Sequence, residues 1–490
     1  MITECNESHT CYGQSQDISR PLPKIVVDVD LYNQPPKPRL RISKGESEPY
    51  IALSYCWGDQ ATQPVTTTDN LASRCKIIEV PILPKTIQDA IQCCRRLGVA
   101  FLWCDSLCII QDSEEEKASQ INNMGNVYKN AYLCISAARA ASSHDGFLED
   151  GPSMETLKIP YRCPNQRFGT LILERDLGSL PEEEPTDKRA WTLQEIMLSR
   201  RVLSYGTKKF SWRCQKSRDP IRNETDIVHS LFHSPEPKSY SISWPKIVRS
   251  FTSREITYIS DRLPAISAIA SALIEQAAEP QTDYVAGLWR RNLEVQLLWV
   301  ALKPGPPREH KEATGPSWSW ASVRAPISIP SLFARDKLFL GNSNNILTTA
   351  DEQNDSTSYP YFQLLEWSTI PIAGSGPFGR IVRGYLKVKG LILRTKMSPE
   401  QGSAPAEFHH QNLEPIGGIT PFLDTHGTDG YEQDVWLLAV SPSKGLILEC
   451  VTCDNVQKTY RRLGMFELSD RVASKGFLFG NLQNQEIVIV

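Results

Sequence analysis

The chain has 490 residues, 40% of them apolar and 22% charged, with a net charge of −3. This balance suits roughly two to four folded domains and excludes a disordered tail, a coiled coil or a collagen-like fibre. Near-neutrality argues against a basic nucleic-acid surface, and no apolar run approaches the roughly 18 residues of a membrane span. The opening Met1-Ile-Thr-Glu-Cys-Asn-Glu7 has neither a basic segment nor an apolar core, so no secretory signal is read there. A cytoplasmic protein with its 13 cysteines as reduced thiols is therefore expected.

Residues 1–47 read as a loose lead-in, with Ile25-Val26-Val27 as a short strand before the break at Pro35-Pro36-Lys37-Pro38. Residues 48–215 form the first domain. Tyr50 to Tyr55 is a buried strand, stopped by Trp57-Gly58-Asp59. Pro84 opens a helix whose Ile87, Ala90, Ile91, Cys94 and Leu97 recur at helical spacing, and Gly98 ends it. Val99 to Cys104 is a second strand, ended by Asp105. Ser113 and Glu116 form a capping box for a helix that buries Ala118, Ile121, Met124, Tyr128 and Ala131. Tyr132 to Ser136 is a third strand, and strand–helix alternation of this kind implies a parallel sheet with right-handed crossovers. Residues 139–187 read as an insertion, with an acidic linker at Pro181-Glu182-Glu183-Glu184-Pro185. Beyond it a short helix runs from Trp191 to Leu198, with strands at Arg201 to Tyr205 and Phe210 to Cys214.

Residues 216–330 look mainly helical, with one helix after Asp261 to about Gln276 and an amphipathic stretch from Tyr284 to Val300. Residues 331–490 form a β-rich lobe. Its strand-like runs are Tyr385 to Leu393, Val435 to Val440, Leu446 to Cys453, Leu463 to Leu468 and Glu486 to Val490, with a loop at Gly402 to Gly430.

In an open parallel sheet, ligands bind beyond the carboxyl ends of the strands. Here those ends carry Tyr55, Trp57 and Asp59, then Asp105 and Ser106, then Ser136 and Arg139. The same residues equally serve as strand terminators and packing groups.

The segment Tyr50-Ile-Ala-Leu-Ser-Tyr-Cys-Trp-Gly-Asp59 resembles the opening motif of the fungal heterokaryon-incompatibility (HET) domain. Leu83-Pro-Lys-Thr-Ile-Gln-Asp-Ala90, Leu102-Trp-Cys-Asp-Ser-Leu-Cys-Ile-Ile-Gln-Asp112 and Met124-Gly-Asn-Val-Tyr128 are similar to its second block. Arg189-Ala-Trp-Thr-Leu-Gln-Glu195 and Leu198-Ser-Arg-Arg-Val-Leu203 are similar to its third. Ile110 departs from the family, which has Asn before Gln. The resemblance implies non-self recognition and programmed cell death, with an α/β TIR-like (flavodoxin-like) domain. Some TIR domains hydrolyse NAD. Aligning the order of elements places Glu195 where the TIR catalytic glutamate sits, with NAD as substrate rather than resident cofactor. Tyr55, Trp57, Asp59, Asp105, Arg189 and Trp191 then become candidates for substrate binding, and Glu195 alternatively forms a structural ion pair with Arg189, Arg200 or Arg201. Two other readings stand beside this one: a non-enzymatic module that self-associates or binds a second incompatibility protein, and an accessory enzyme of fungal secondary metabolism using the same rim.

Metal signals are weak. Cys450-Val-Thr-Cys453 has no second pair at zinc spacing. Cys5, His9 and Cys11 lie in the lead-in and are read as ordinary side chains, so no metal is expected. His229 and His233 lack an acidic metalloprotease partner, and His409-His410 is read as a solvent-facing loop.

Overall fold

The computed structural model describes residues 1–9, 11, 20–149, 156–162, 167–174, 183–208, 210–216, 240–277, 283–308, 315–330, 361–398, 406–409, 416–426, 432–453, 458–473, 478–480 and 482–490. The chain divides into two units, residues 1–223 and 224–490. His229, His233, His410 and Pro181-Glu182 lie outside the described residues.

The first unit is built on a seven-stranded sheet. Its strands are β1 (Ile25–Asp28), β2 (Arg39–Ile42), β3 (Tyr50–Ser54), β4 (Phe101–Trp103), β5 (Leu133–Ser136), β6 (Arg201–Tyr205) and β7 (Phe210–Cys214), arranged in space as β7-β6-β5-β3-β4-β1-β2. The central four are parallel. β1, β2 and β7 run antiparallel to their neighbours at the two edges. The sheet is therefore mixed, not purely parallel as the sequence pattern suggested. The supposed loose lead-in supplies two of the strands, because Val27 and Asp28 pair with Leu102 and Phe101 along the flank of β4 that would otherwise be an open edge. The central strands are mostly apolar because they are covered on both faces. Ile51, Ala52, Leu102, Leu133, Cys134 and Ile135 are completely buried, each large apolar side chain contributing about 1.5–3 kcal/mol.

Three helices connect them: α1 (Lys85–Leu97), α2 (Glu114–Asn130) and α3 (Ala190–Leu198). α1 begins after Pro84 and ends at Gly98, which adopts φ +68 as a left-handed cap. α2 starts at Ser113, whose hydroxyl accepts from the Glu116 amide at 3.4 Å. Its inward stripe runs through Gln120, Met124, Val127 and Tyr128, leaving Ala118 and Ile121 half-buried. The chain moves from β3 to β4 in one direction and then from β4 through β5 to β6 in the other. Right-handed crossovers therefore place α1 on one face and α2 with α3 on the opposite face. Side-chain alternation agrees: Tyr205 meets Cys93 of α1, while Cys134 and Ser136 belong to the other face.

Between β5 and α3 the chain first doubles back over α1. Asp89, 1% exposed, accepts the amides of Phe147 and Leu148 at 2.8 and 3.0 Å and the Lys85 ammonium at 2.6 Å. An antiparallel hairpin then follows, Thr156–Arg162 with Phe168–Glu174.

The second unit joins helices Tyr240–Thr252 and Pro264–Ala277 to an eight-stranded sheet. The strand Asn484–Ile489 pairs with both Ile381–Met397 and Lys458–Leu468 and so closes a ring through Gln433–Ala439 and Lys444–Cys453. Phe362–Pro371 and Ile419–Leu423 are further strands not anticipated from the sequence. The stretch Tyr284 to Val300 is not a long helix. Ala286 (φ +49) and Gly287 (φ +90) form a tight turn between Tyr284–Val285 and Leu288–Trp289. Its carbonyl at Gly287 accepts the indole N–H of both Trp244 (2.9 Å) and Trp320 (2.7 Å). A Cβ at Gly287 would lie 2.7 Å from the Trp320 ring nitrogen, so tertiary packing selects the turn. His409 lies on a short strand paired with Lys396, its Nε2 2.9 Å from Ser398 Oγ. Ten described cysteines are free thiols as expected, but Cys450 is disulfide-bonded.

Asp89 fixes the 142–149 loop to α1. Asp89→Ala leaves two amides without acceptors, and a loss of about 2–4 kcal/mol is expected. Denaturant unfolding of the full chain measures that loss, and faster hydrogen exchange at Phe147 and Leu148 localises it.

Candidate functional site

The direction of strand addition reverses between β3 and β5, so the loops leaving their carboxyl ends diverge and open a crevice. Residues from four segments converge there. β3 runs on into Tyr55-Cys56-Trp57, and Gly58 at φ +74 turns the chain sharply away. A Cβ at Gly58 would lie 2.6 Å from Ser142 Cβ, so only glycine lets the turn seat against that loop. The Trp57 indole N–H donates to both carboxylate oxygens of Asp105, at 3.1 and 2.9 Å. Asp105 opens the short helix after β4 and also accepts the Ser106 amide at 2.7 Å. Beneath them the buried Tyr55 hydroxyl donates to Ser106 Oγ at 3.0 Å and accepts from Gln63 Nε2 at 2.9 Å.

α3 supplies the remaining charges. Arg189, its N-terminal flanking residue, donates from its guanidinium to the Tyr55 carbonyl. Glu195, in the middle of α3, is only 6% exposed. Its Oε2 has no partner in good hydrogen-bond geometry, while the Ser54 hydroxyl at the end of β3 lies close enough to favour its charged form. Tyr128 of α2 donates its hydroxyl to the Leu53 carbonyl at 3.0 Å, which brings its ring system to the same place.

Electrostatics follow from burial. Desolvation pushes the Glu195 carboxyl up to about 7. The Ser54 hydroxyl beside it lowers it, the Asp105 charge adds to the rise, and Arg189 and Tyr128 oppose it. Asp105 is raised in the same way by burial, against the pull of Arg189 and the Ser106 and Trp57 donors. Burial works against the Arg189 charge, but Glu195, Cys56 and Asp105 more than offset it and its pKa rises. The set thus holds one cation facing two carboxyl groups, one of them poised to change charge near neutrality.

Of the residues singled out from the sequence, Tyr55, Trp57, Asp105, Arg189 and Glu195 meet at this crevice. Trp191 is half-buried in the first turn of α3. Asp59 does not join them. It is exposed, and its carboxylate accepts the Ala61 amide at 3.0 Å as the cap of a helical turn. Its side chain satisfies a local backbone donor, the commonest use of Asp after a strand. Tyr128, Gln63 and the Ser54 hydroxyl were not singled out as site residues. The apolar stripe of α2 hid Tyr128, and only strand register reveals that Ser54 lies level with Ser136 and, one strand on, Ser204.

At the amino ends of the same strands a second cluster forms. Cys5, His9 and Cys11, read above as ordinary side chains, are joined by Cys214 of β7, their ligand atoms all within 4.8 Å of one another. Among the described residues, no helix is long and apolar enough to cross a membrane.

The first unit is thus an α/β domain with an acidic, arginine-bearing crevice at its topological switch point. Residues 50–195 match the family model described as Heterokaryon incompatibility protein (HET), and the chain carries a HET domain over that span. Heterokaryon incompatibility protein 6, OR allele, from Neurospora crassa is 30% identical over 96 residues, which is 18% of this chain and only 14% of that relative. No solved structure matches the chain.

Glu195 binds its proton more tightly folded than unfolded. Its burial therefore costs nothing below the unfolded pKa near 4.5, and the penalty grows as pH rises to about 7, reaching about 3 kcal/mol. Glu195→Gln removes this titration. The stability of the variant relative to wild type should rise between pH 5 and pH 8, as denaturant unfolding at the two pH values would measure. A structural ion pair with Arg189 predicts the opposite sign.

Proposed function

We propose that this chain acts in fungal heterokaryon incompatibility, and that its α/β unit hydrolyses NAD at the Glu195 crevice in the manner of TIR domains, with cell death as the consequence. The observation that carries the reading is the buried Glu195 carboxyl with an unpartnered oxygen, at the switch point of a sheet whose central order runs β6-β5-β3-β4.

The chemistry needs few groups. The bond between ribose C1′ and the nicotinamide nitrogen breaks, the electron pair leaves with neutral nicotinamide, and C1′ develops oxocarbenium character, as in glycoside hydrolysis. An ionised Glu195 accepts hydrogen bonds from the ribose hydroxyls and stabilises the developing positive charge. Water then adds to C1′ and its proton passes to solvent. Arg189 suits a phosphate oxygen and the half-buried Trp57 and Trp191 suit a base. Asp105, held by the Trp57 indole, adds to Glu195 in favouring the charged form of Arg189.

A second reading, signalling by self-association without chemistry, is favoured by the hairpin ahead of α3. Leu157, Ile159 and Tyr161 alternate along one strand and Leu171 pairs with Ile159, so all four share one face. They are 61%, 38%, 47% and 47% exposed, an apolar face suited to a second copy of the chain.

Nicotinamide release by the purified full chain decides between them. Wild type should release nicotinamide, with a rate that rises with pH through about 7 as the Glu195 carboxylate forms. Glu195→Gln should fall by about 100-fold or more. Release undiminished in the variant, or none from folded wild type at high concentration, overturns the enzymatic reading. Loss of signalling in Ile159→Lys with Glu195→Gln still active in cells would establish the second.

A further inference from the structure

The second cluster lies at the opposite end of the sheet from Glu195. Cys5 sits on the helix Ile2–Ser8, His9 caps that helix in an extended conformation, and Cys11 follows two residues later. Cys214 ends β7, where it is the cross-strand partner of Arg201, the first residue of β6. Three of the four are sealed from solvent: Cys5, Cys11 and Cys214 are 0–1% exposed. All four ligand atoms lie within 4.8 Å of one another, and His9 Nδ1 is 3.3 Å from Cys214 Sγ. A tetrahedral zinc ion with Zn–S near 2.3 Å and Zn–N near 2.0 Å separates its ligand atoms by about 3.5–3.8 Å. The cluster is therefore within a small inward adjustment of that geometry, with all three sulfurs present as free thiols.

We propose that Cys5, His9, Cys11 and Cys214 form a structural zinc site that fastens the amino-terminal segment to the edge strand β7 of the first unit. The donor set is three sulfurs and one imidazole, which selects zinc over the hard cations magnesium and calcium. Four protein ligands leave no position open for water or substrate, so the site is structural rather than catalytic.

The surroundings fit the charge of such a centre. Three thiolates, a neutral imidazole and a divalent ion sum to one negative charge. The buried Arg201 supplies the compensating positive charge, its Nε donating to Cys5 Sγ at 3.2 Å while its guanidinium stacks 5.1 Å over the Tyr132 ring. Arg200 donates to the Cys11 carbonyl at 3.0 Å, and Asn6 donates to the Tyr132 hydroxyl at 3.2 Å. These bonds hold the ligand-bearing segment against the sheet. The site joins residues about 200 positions apart, so closing it removes much of the conformational freedom of the unfolded chain.

The test uses the full chain, purified under reducing conditions without chelators. Elemental analysis should find roughly one zinc per chain, and replacement by cobalt(II) should give the intense visible bands of a tetrahedral centre with thiolate charge transfer. His9→Cys should keep the metal and raise the charge-transfer absorbance by about a third, as a fourth thiolate joins three. Arg201→Met should weaken zinc binding by about 10–100-fold in competition with a chromophoric chelator. Cys214→Ser should lose stoichiometric metal. Zinc-free folded protein that takes up no cobalt overturns the proposal, as does a native disulfide among Cys5, Cys11 and Cys214. Stoichiometric metal retained in both Cys11→Ser and Cys214→Ser overturns its location. The wild-type cobalt spectrum reads the ligand set even where a cysteine variant fails to fold.

Discussion

The reversal of strand order between β3 and β5 is the constraint on which the first unit depends. Because crossovers are right-handed, that reversal puts α1 on one face and α2 with α3 on the other. It also leaves a gap above the two central strands that no backbone hydrogen bond can fill. Into that gap the chain sends Tyr55 and Trp57 from β3, Asp105 from the end of β4, and Arg189 with Glu195 from α3. None of these groups would be tolerated there singly. A buried carboxylate needs a cation or donors, and a buried guanidinium needs acceptors. Arg189 answers two carboxyl groups and the Tyr55 carbonyl at once, and the remaining imbalance appears as the raised pKa of Glu195.

The two ends of the sheet are built differently. At the carboxyl ends, the Glu195 Oε2 atom is buried without a hydrogen-bond partner. At the amino ends, three sulfur donors and an imidazole converge beside a stacked arginine. The second unit manages a buried charge by pairing it with two arginines. Asp424, fully buried, meets Arg462 at 2.9 Å and Arg308 at 3.0 Å, and Arg462 spends its remaining donors on the carbonyls of Leu297 and Trp299.

Much of this was legible in the sequence. The unbroken apolar runs of β3, β4 and β5 marked strands covered on both faces, and Pro84 and Gly98 marked the ends of α1. Tyr55, Trp57 and Asp105 could be named because strand ends in such a sheet point to one rim, and Arg189 and Glu195 because their block resembles the family's third motif. The errors have physical causes. Asp59 looked like a rim residue, yet a local backbone donor claimed it. Ala286 and Gly287 sit inside an apolar run that scans as a helix, and only the indoles of Trp244 and Trp320 reveal the turn. β1 and β2 seemed too isolated to matter until β4 offered an edge.

The sequence by itself determined the local elements and the family-bearing motifs, because period, capping residues and short blocks are properties of neighbouring residues. Only the tertiary structure decided which distant groups meet. Glu195 acquires its raised pKa from burial and from the Asp105 charge, against the opposing pull of Ser54, Arg189 and Tyr128, and these groups come from other segments of the chain. Cys214 joins Cys5 and His9 from about 200 residues away, because β7 returns antiparallel along β6 and sets it beside Arg201. Burial and through-space distance govern both clusters, and neither quantity is written in the order of residues along the chain.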